Sequence, residues 1–396
     1  MSGLIANGRV DIRVGDCREL LREMPEASVD ACVTDPPYHL TSIVKRFGGK
    51  DAAPAKVGAT GAYARASRGF MGQTWDGGDV AFDSATWAEV WRVLKPGAHL
   101  IAFGGTRTYH RIACAIEDAG FEVRDGFAWL YGSGFPKSHN LSGEWEGWGT
   151  ALKPAWEPAI LARKPLIGTV AANVLAHGTG ALNIDASRVA GGGGAARENE
   201  PSMSRRYADR GATNFAATPG PRGGSPAGRW PANVIHDGSD AVIGALPEAP
   251  GQMATVTGEE ASSPFANVYG EMPNRAGRAE PRGDAGSAAR FFYCAKPSRD
   301  ERGPENTHPT VKPAALMAHL VQMVTPPGGL VLDPFSGSGT TGLAAARHGS
   351  RAVLMEQSED YAAIARARIA RDWREPESAP EDAPVDFGPL FGSAAE

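Results

Sequence analysis

Hydrophobic and polar positions along this chain fall into two periodicities, one of two residues and one of three to four. Residues 9–14 (RVDIRV) alternate and end at Gly15-Asp16, which predicts a strand. Cys17 to Met24 sets Leu20, Leu21 and Met24 on one side and predicts a helix, and Val29 to Thr34 is a short apolar strand. Further on, Trp87, Val90, Trp91 and Leu94 have helical spacing within Ser84 to Leu94, and Lys95-Pro96-Gly97 ends that helix. His99 to Phe103 reads as a strand, Thr106 to Ala119 as a helix and Phe121 to Trp129 as a strand. The same alternation returns near the end of the chain. It predicts helices over about Pro313 to Val324, Thr340 to His348 and Glu359 to about Trp373, and strands over Gly329 to Leu332 and Arg351 to Met355. Strands alternating with helices predict an α/β fold with a parallel, doubly wound sheet.

Between these halves the pattern breaks. Residues 140–190 mix Trp145, Trp148, Trp156, Gly and Pro without periodicity, and 190–228 are of low complexity and predicted to be mobile. Only short strand-like pieces follow, at Asn233 to His236 and Phe291 to Cys294. The expected organisation is therefore one α/β domain made from 1–140 and 301–374, an inserted region over 141–300, and a disordered acidic tail at 375–396.

Charge sharpens this division. The whole net charge of −5 lies in the stretch from Arg371 onward, with seven acids and two bases, so the body of the chain is neutral. Within that body, residues 41–75 carry Lys45, Arg46, Lys50, Lys56, Arg65 and Arg68 against Asp51 alone. Such an excess suits a loop that meets phosphates, although a solvated loop has the same composition. The insert adds seven Arg against three acids between Arg188 and Trp230, with Asn199, Asn214 and Asn233 as candidate base readers. No apolar run approaches 18 residues and no secretory leader is visible, which predicts a cytoplasmic chain with no membrane partner. The four cysteines, Cys17, Cys32, Cys114 and Cys294, are far apart with no CxxC, and are expected to be buried reduced thiols rather than a metal site.

Two motifs carry the chemistry. Gly337, Gly339 and Gly342 form G-x-G-x-x-G between a predicted strand and a predicted helix, and Glu356 ends the next strand, 19 residues after Gly337. The glycines allow a tight turn and close approach to a ligand, and a carboxylate at that position accepts hydrogen bonds from ribose hydroxyls. A nucleoside-containing cofactor is implied, either a dinucleotide or S-adenosyl-L-methionine. No G-x-x-x-x-G-K-[ST] is present, so a P-loop NTPase is excluded. The second motif, Asp35-Pro36-Pro37-Tyr38, leaves the carboxyl end of a strand. An aromatic exocyclic amine is a poor nucleophile because its lone pair is delocalised into the ring. Asp35 and the Pro36 carbonyl can accept its two N–H groups and favour a pyramidal nitrogen, the prolines stiffen the loop, and Tyr38 offers a stacking face.

Asp-Pro-Pro-Tyr followed about 300 residues later by Phe335-Ser336-Gly337-Ser338-Gly339-Thr340 resembles the amino-methylating DNA methyltransferases, which act on adenine N6 or cytosine N4. The motif order, with the recognition region between, is similar to the β group of that family, and His308-Pro309-Thr310-Val311-Lys312-Pro313 is close to a third family motif. The resemblance covers about 9–140 and 290–372. It implies a circularly permuted, Rossmann-like methyltransferase sheet with an inserted target-recognition domain. The C-terminal part would supply the first two strands of the sheet and the N-terminal part the third and fourth.

By the same resemblance Asp35, Pro36, Pro37 and Tyr38 would bind the target base. Phe335, Gly337, Gly339 and Thr340 would line the methionine part of the cofactor, with Asp333, Thr310 and Lys312 nearby. Glu356 would take the ribose and Asp16 would approach the adenine amino group. Lys45, Arg46, Lys50, Arg65 and Arg68 are the candidate DNA contacts. The implied activity is site-specific methylation of adenine N6 in a base flipped out of double-stranded DNA. Cytosine N4 is the alternative, less favoured because enzymes of that kind more often carry Ser in place of Asp35. A dinucleotide-dependent oxidoreductase is a more distant alternative that leaves Asp35 to Tyr38 idle. No cysteine follows a proline, as C5 methylation of cytosine would need, and neither a metal nor a covalent intermediate is required. A homodimer and a restriction endonuclease partner are compatible with this class, and the recognition sequence is unread.

Overall fold

The computed structural model describes residues 3–38, 79–136, 138–190, 228–249, 286–296, 306 and 311–374. The elements in chain order are β1 (Gly3–Ile5), β2 (Val10–Val14), α1 (Cys17–Arg22), β3 (Val29–Thr34), α2 (Ser84–Val93), β4 (Leu94–Phe103), α3 (Tyr109–Asp118), β5 (Glu122–Leu130) and β6 (Trp156–Arg163). They continue with α4 (Val170–His177), β7 (Val234–His236), α5 (Asp240–Ala245), β8 (Glu248–Ala249), β9 (Gly286–Ser287), β10 (Tyr293–Cys294), α6 (Ala314–Val324), β11 (Leu330–Asp333), α7 (Thr340–Arg347), β12 (Arg351–Glu356) and α8 (Glu359–Asp372).

Ten strands form one sheet in the order β1-β2-β12-β11-β3-β4-β6-β5-β7-β10. From β2 to β4 all neighbours are parallel. The two strands made last, β11 and β12, lie between β2 and β3, which are made almost first. The permuted order expected from the motifs is thus the order of the sheet. Its direction of winding reverses between β11 and β3, so the loops leaving those strands open side by side.

Both faces of the sheet are covered, which explains the near-continuous apolar character of its central strands. Ala31, Val33, Ile101, Phe103 and Leu354 pack on one face with residues of α6, α7 and α8. Cys32, Leu100, Ala102, Leu332 and Met355 pack on the other with residues of α1, α2 and α3. At the amino edge, buried Asp30 pairs with Lys95 (2.6 Å) and accepts from the Leu330 amide (2.7 Å), which locks the register of β3 to both neighbours.

Two sequence expectations change. The chain passes from α2 straight into β4 at Leu94, and the expected turn at Lys95-Pro96-Gly97 is instead an irregularity inside a strand paired at Val29–Leu94 and again at Ala31–His99. Gly97 is left-handed there (φ 76°), and a Cβ on it would lie 2.4 Å from Asn173 Nδ2, a group that hydrogen-bonds the Pro96 and Thr179 carbonyls. The second change concerns the boundary at 140. Strands β6, β7 and β10 lie in the region expected to stand apart from the sheet, yet they belong to it, β6 being antiparallel to β4 and β5. The run from Pro158 to Ala162 is buried on both sides and so shows no alternation for a pattern search to find.

Candidate active site

β3 carries its apolar run to buried Thr34 and then releases Asp35, Pro36, Pro37 and Tyr38 at the carboxyl edge of the sheet. The Tyr38 hydroxyl donates to Asp35 Oδ1 (2.7 Å). Lys312, just before α6, donates its ammonium to Asp35 Oδ2 (2.6 Å) and to the Tyr38 hydroxyl (3.0 Å). These three side chains close a ring. Glu157, near the start of β6, ion-pairs with the same ammonium at 3.1 Å, and the Phe103 ring at the end of β4 lies 4.8 Å from it. Lys312 is 7% exposed; burial opposes its charge, but the Asp35 and Glu157 carboxylates outweigh burial and push its pKa up to about 12. The Tyr38 hydroxyl is pushed well up by burial and then by the same two carboxylates. From the β4 side, Thr108 donates to the Tyr38 carbonyl (2.9 Å), and Gly105 lets the backbone approach the tyrosine ring, where a Cβ would be 3.2 Å from Cδ2.

The neighbouring strand β11 ends at Asp333, which is 2% exposed. Its Oδ1 accepts from the Thr34 hydroxyl (2.6 Å) and the Phe335 amide (3.0 Å), and its Oδ2 from the Thr341 hydroxyl (2.6 Å). Burial raises the carboxyl to about 6, although these three donors favour its charged form. Asp333 therefore ties the end of β3, the loop after β11 and the first turn of α7 to one another. In that loop Gly337 (φ 50°) and Gly339 (φ 78°) are left-handed. Glu356, at the end of β12, accepts from the Gly337 amide through Oε2 and from the Ser358 amide through Oε1, both at 2.9 Å. Its carboxyl is raised by burial, with those two amides pulling the other way. The Phe335 ring packs against Trp87, with centroids 6.3 Å apart.

β2 adjoins β12, and the Gly15 amide donates to the Glu356 carbonyl (3.0 Å), which brings Asp16 to the same edge. Asp16 caps α1 by accepting from the Arg18 amide, and the Arg18 guanidinium bonded to its carboxylate holds its pKa below the usual carboxylate range. Thr340 begins α7, and its buried hydroxyl accepts from Arg368 of α8 (2.7 Å). That arginine also donates to the Ser338 carbonyl and hydroxyl, so α8 holds the turn into α7 from behind.

A family model described as DNA methylase matches residues 29–367, most of the chain and both loops just described. The chain belongs to the DNA methylase family. This is the family of N6/N4 amino-methyltransferases, for which S-adenosyl-L-methionine is the methyl donor. Among curated relatives, the Type II methyltransferase M.HindIII of Haemophilus influenzae is 26% identical over 194 residues, covering 41% of this chain and 61% of the relative. The Type II methyltransferase M2.DpnII of Streptococcus pneumoniae is 44% identical over 62 residues, covering 16% and 23%. The chain thus spans less than two thirds of the length of either. Among solved structures, M1.HpyAVI in complex with SAM is 16% identical with a TM-score of 0.41, covering 91% of this chain and 98% of that one. The PvuII cytosine-N4-specific DNA methyltransferase is also 16% identical, with a TM-score of 0.42 and coverages of 91% and 86%. Both scores are low, and the fold rests on the sheet order above.

Of the residues the sequence singled out, Asp35 to Tyr38 and Lys312 form one group, and Asp333, Phe335, Gly337, Gly339 and Glu356 the other. The Thr34–Asp333 hydrogen bond joins them. Three positions differ from expectation in their surroundings. Lys312, expected near the methionine end of the cofactor, donates to Asp35 and Tyr38, and Asp333 and Thr340, expected among the cofactor residues, turn their oxygens inward to protein donors. Glu157, Thr34, Thr341 and Arg368 carried no local signal, since each works through a partner far away in sequence. Thr310 and the basic residues Lys45, Arg46, Lys50, Arg65 and Arg68 lie outside the described residues, as do most of 190–228 and all of 375–396. All four cysteines are free; Cys17 and Cys32 are buried as expected, but Cys114 is exposed because it falls on the outward side of α3. Among the described residues no helix is long and apolar enough to cross a membrane.

Proposed function

We propose that this chain is a site-specific DNA methyltransferase that uses S-adenosyl-L-methionine to methylate adenine N6 of a base flipped out of double-stranded DNA. The observation that carries this reading is the juxtaposition, across the β3–β11 switch point, of the Asp35–Tyr38–Lys312 ring and the Phe335–Gly339 loop, tied by Thr34 to Asp333 at 2.6 Å.

The residues suit such a cofactor. Each Glu356 oxygen takes one backbone donor at 2.9 Å, which leaves lone pairs for ribose hydroxyls. The left-handed Gly337 and Gly339 turn the loop tightly, Gly339 lets it lie against α8, where a Cβ would be 2.9 Å from Ala365 Cβ, and Phe335 packs on Trp87 beside it. When bound, S-adenosyl-L-methionine supplies an electrophilic methyl group on its sulfonium. Asp16, Phe335, Gly337, Gly339 and Glu356 would hold it, while Asp333 and Thr340 would hold the loop.

For the base, Asp35 accepts one N–H of the exocyclic amine and the Pro36 carbonyl the other, which returns the nitrogen lone pair from the ring. In the base-free protein Asp35 Oδ1 accepts from Tyr38 and Oδ2 from Lys312, so the arriving amine has to share or displace one of these donors. Tyr38 supplies a stacking face held in place through its hydroxyl and its carbonyl. Flipping the base out of the duplex costs a few kcal/mol, which the basic residues Lys45, Arg46, Lys50, Arg65 and Arg68 and the recognition region within 141–300 would offset. Adenine is favoured by Asp35 itself, since the cytosine-N4 enzymes more often have Ser there.

Labelled S-adenosyl-L-methionine, unmethylated genomic DNA and nucleoside analysis test this reading. Label is expected in N6-methyladenine, and Asp35→Ala should lower it by at least roughly 10²–10³-fold, the scale for loss of a preorganised polar group. Label only in cytosine would overturn the adenine assignment, and none in any DNA would overturn the activity.

A further inference from the structure

Asp35 meets a conflict in the base-free protein. Its two oxygens already serve Tyr38 and Lys312, at 2.7 and 2.6 Å, and the shorter contact, from a charged donor, competes with any amine that needs the same carboxylate. A buried ammonium does not leave its only counter-ion, because an unpaired charge in that setting costs several kcal/mol. Lys312 has a second one. Glu157 Oε2, a buried oxygen, already lies 3.1 Å from the ammonium, a longer contact than the 2.6 Å to Asp35, and its carboxylate supports the charge on Lys312. Glu157, near the start of β6, is thus a second carboxylate already within reach of the ammonium.

We propose that Glu157 is a positioning residue for methyl transfer: it draws the Lys312 ammonium off Asp35 when the target amine arrives. This rests on the reading of the site as an amino-methyltransferase. Lys312 keeps a full carboxylate partner throughout, so the site never holds an unpaired cation, and Asp35 gains the acceptor capacity that the amine requires. Nothing covalent happens at Glu157, and its role is only to offer the ammonium a second place. The titratable groups facing Lys312 are Asp35 and Tyr38 from the loop after β3, Glu157 from β6, and Tyr131 just past β5, which senses both Glu157 and Lys312.

The test compares the full-length wild type with Glu157→Gln, Glu157→Asp, Lys312→Met and the Glu157→Gln/Lys312→Met double variant. The assay uses unmethylated genomic DNA and labelled S-adenosyl-L-methionine, and thermal melting and cofactor binding by calorimetry are measured in parallel. Glu157→Gln should lower kcat by roughly 10–100-fold, the range for residues that orient a reacting group from behind, with cofactor affinity and melting temperature unchanged. Glu157→Asp should recover most of that loss. With Lys312 absent there is no ammonium to move, so Glu157→Gln should cost little more in the double variant. Unchanged kcat in Glu157→Gln, losses that simply multiply in the double variant, or a kcat loss matched by lost melting temperature would overturn the proposal. A wild type that methylates no DNA overturns the activity instead, so the two failures are distinct.

Discussion

Asp333 shows how far a single side chain can depart from what its position in a motif suggests. A carboxylate beside a glycine loop invites a ligand-binding role, yet all of its partners are the protein's own: Thr34, Phe335 and Thr341. Burial lifts its pKa to about 6 from an unfolded value near 3.8. A raised carboxyl binds its proton more tightly when folded, so its contribution to stability is full below about pH 4 and is lost as pH rises through 6. The wild type should therefore lose roughly 1–3 kcal/mol from this group between pH 4 and pH 7, and Asp333→Asn should flatten that part of the profile. Chemical denaturation at a series of pH values checks it; an equal slope in both proteins would refute the assignment. The sequence displays Asp35, Tyr38, Gly337, Gly339 and Glu356 because their chemistry is tied to a local turn. Glu157 and Arg368 carry no such mark, since their meaning lies in Lys312 and Thr340, which only folding brings near.

Among the elements, the turn between β11 and α7 is where glycine is required by space as well as by dihedral angle. Gly339 sits at φ 78°, and a Cβ there would lie 2.9 Å from Ala365 Cβ on α8; one on Gly342 would lie 2.5 Å from Leu354 Cδ1 on β12. The first and second glycines of G-x-G-x-x-G thus shape the loop, and the third lets helix and strand close together. Gly339→Ala combines a strained backbone with an overpacked contact and should destabilise the protein by roughly 1–3 kcal/mol. Cofactor affinity measured by calorimetry should fall with it; a full-strength site in a stable Gly339→Ala protein would contradict this account. Elements with a single buried face, such as α2 and α3, were legible from spacing. β6 was not, because a strand buried on both sides has no polar position to alternate with.

For the molecule as a whole, the order of strands matters more than their number. β11 and β12 provide the middle of the sheet, so β2 and β3 have no partner between them until the C-terminal part is in place. A protein truncated before Lys312 should therefore fail to fold rather than lose only the loop after β11, with poorly dispersed amide signals in one-dimensional NMR and rapid proteolysis as the readout. A compact, protease-resistant fragment would show that the N-terminal part is a domain by itself. The two motifs foretold this arrangement, since loops from opposite ends of the chain must share one edge if both serve one reaction. The insertion of β11 and β12 between earlier strands also sets a clock. Some 300 residues separate β3 from β11, and at about 5–20 residues per second a ribosome needs roughly 15–60 s to cover them. Through that interval the nascent chain holds the apolar Val29–Thr34 segment without its eventual neighbour, so the helper proteins that shield such segments during synthesis should govern how much folded protein a cell obtains.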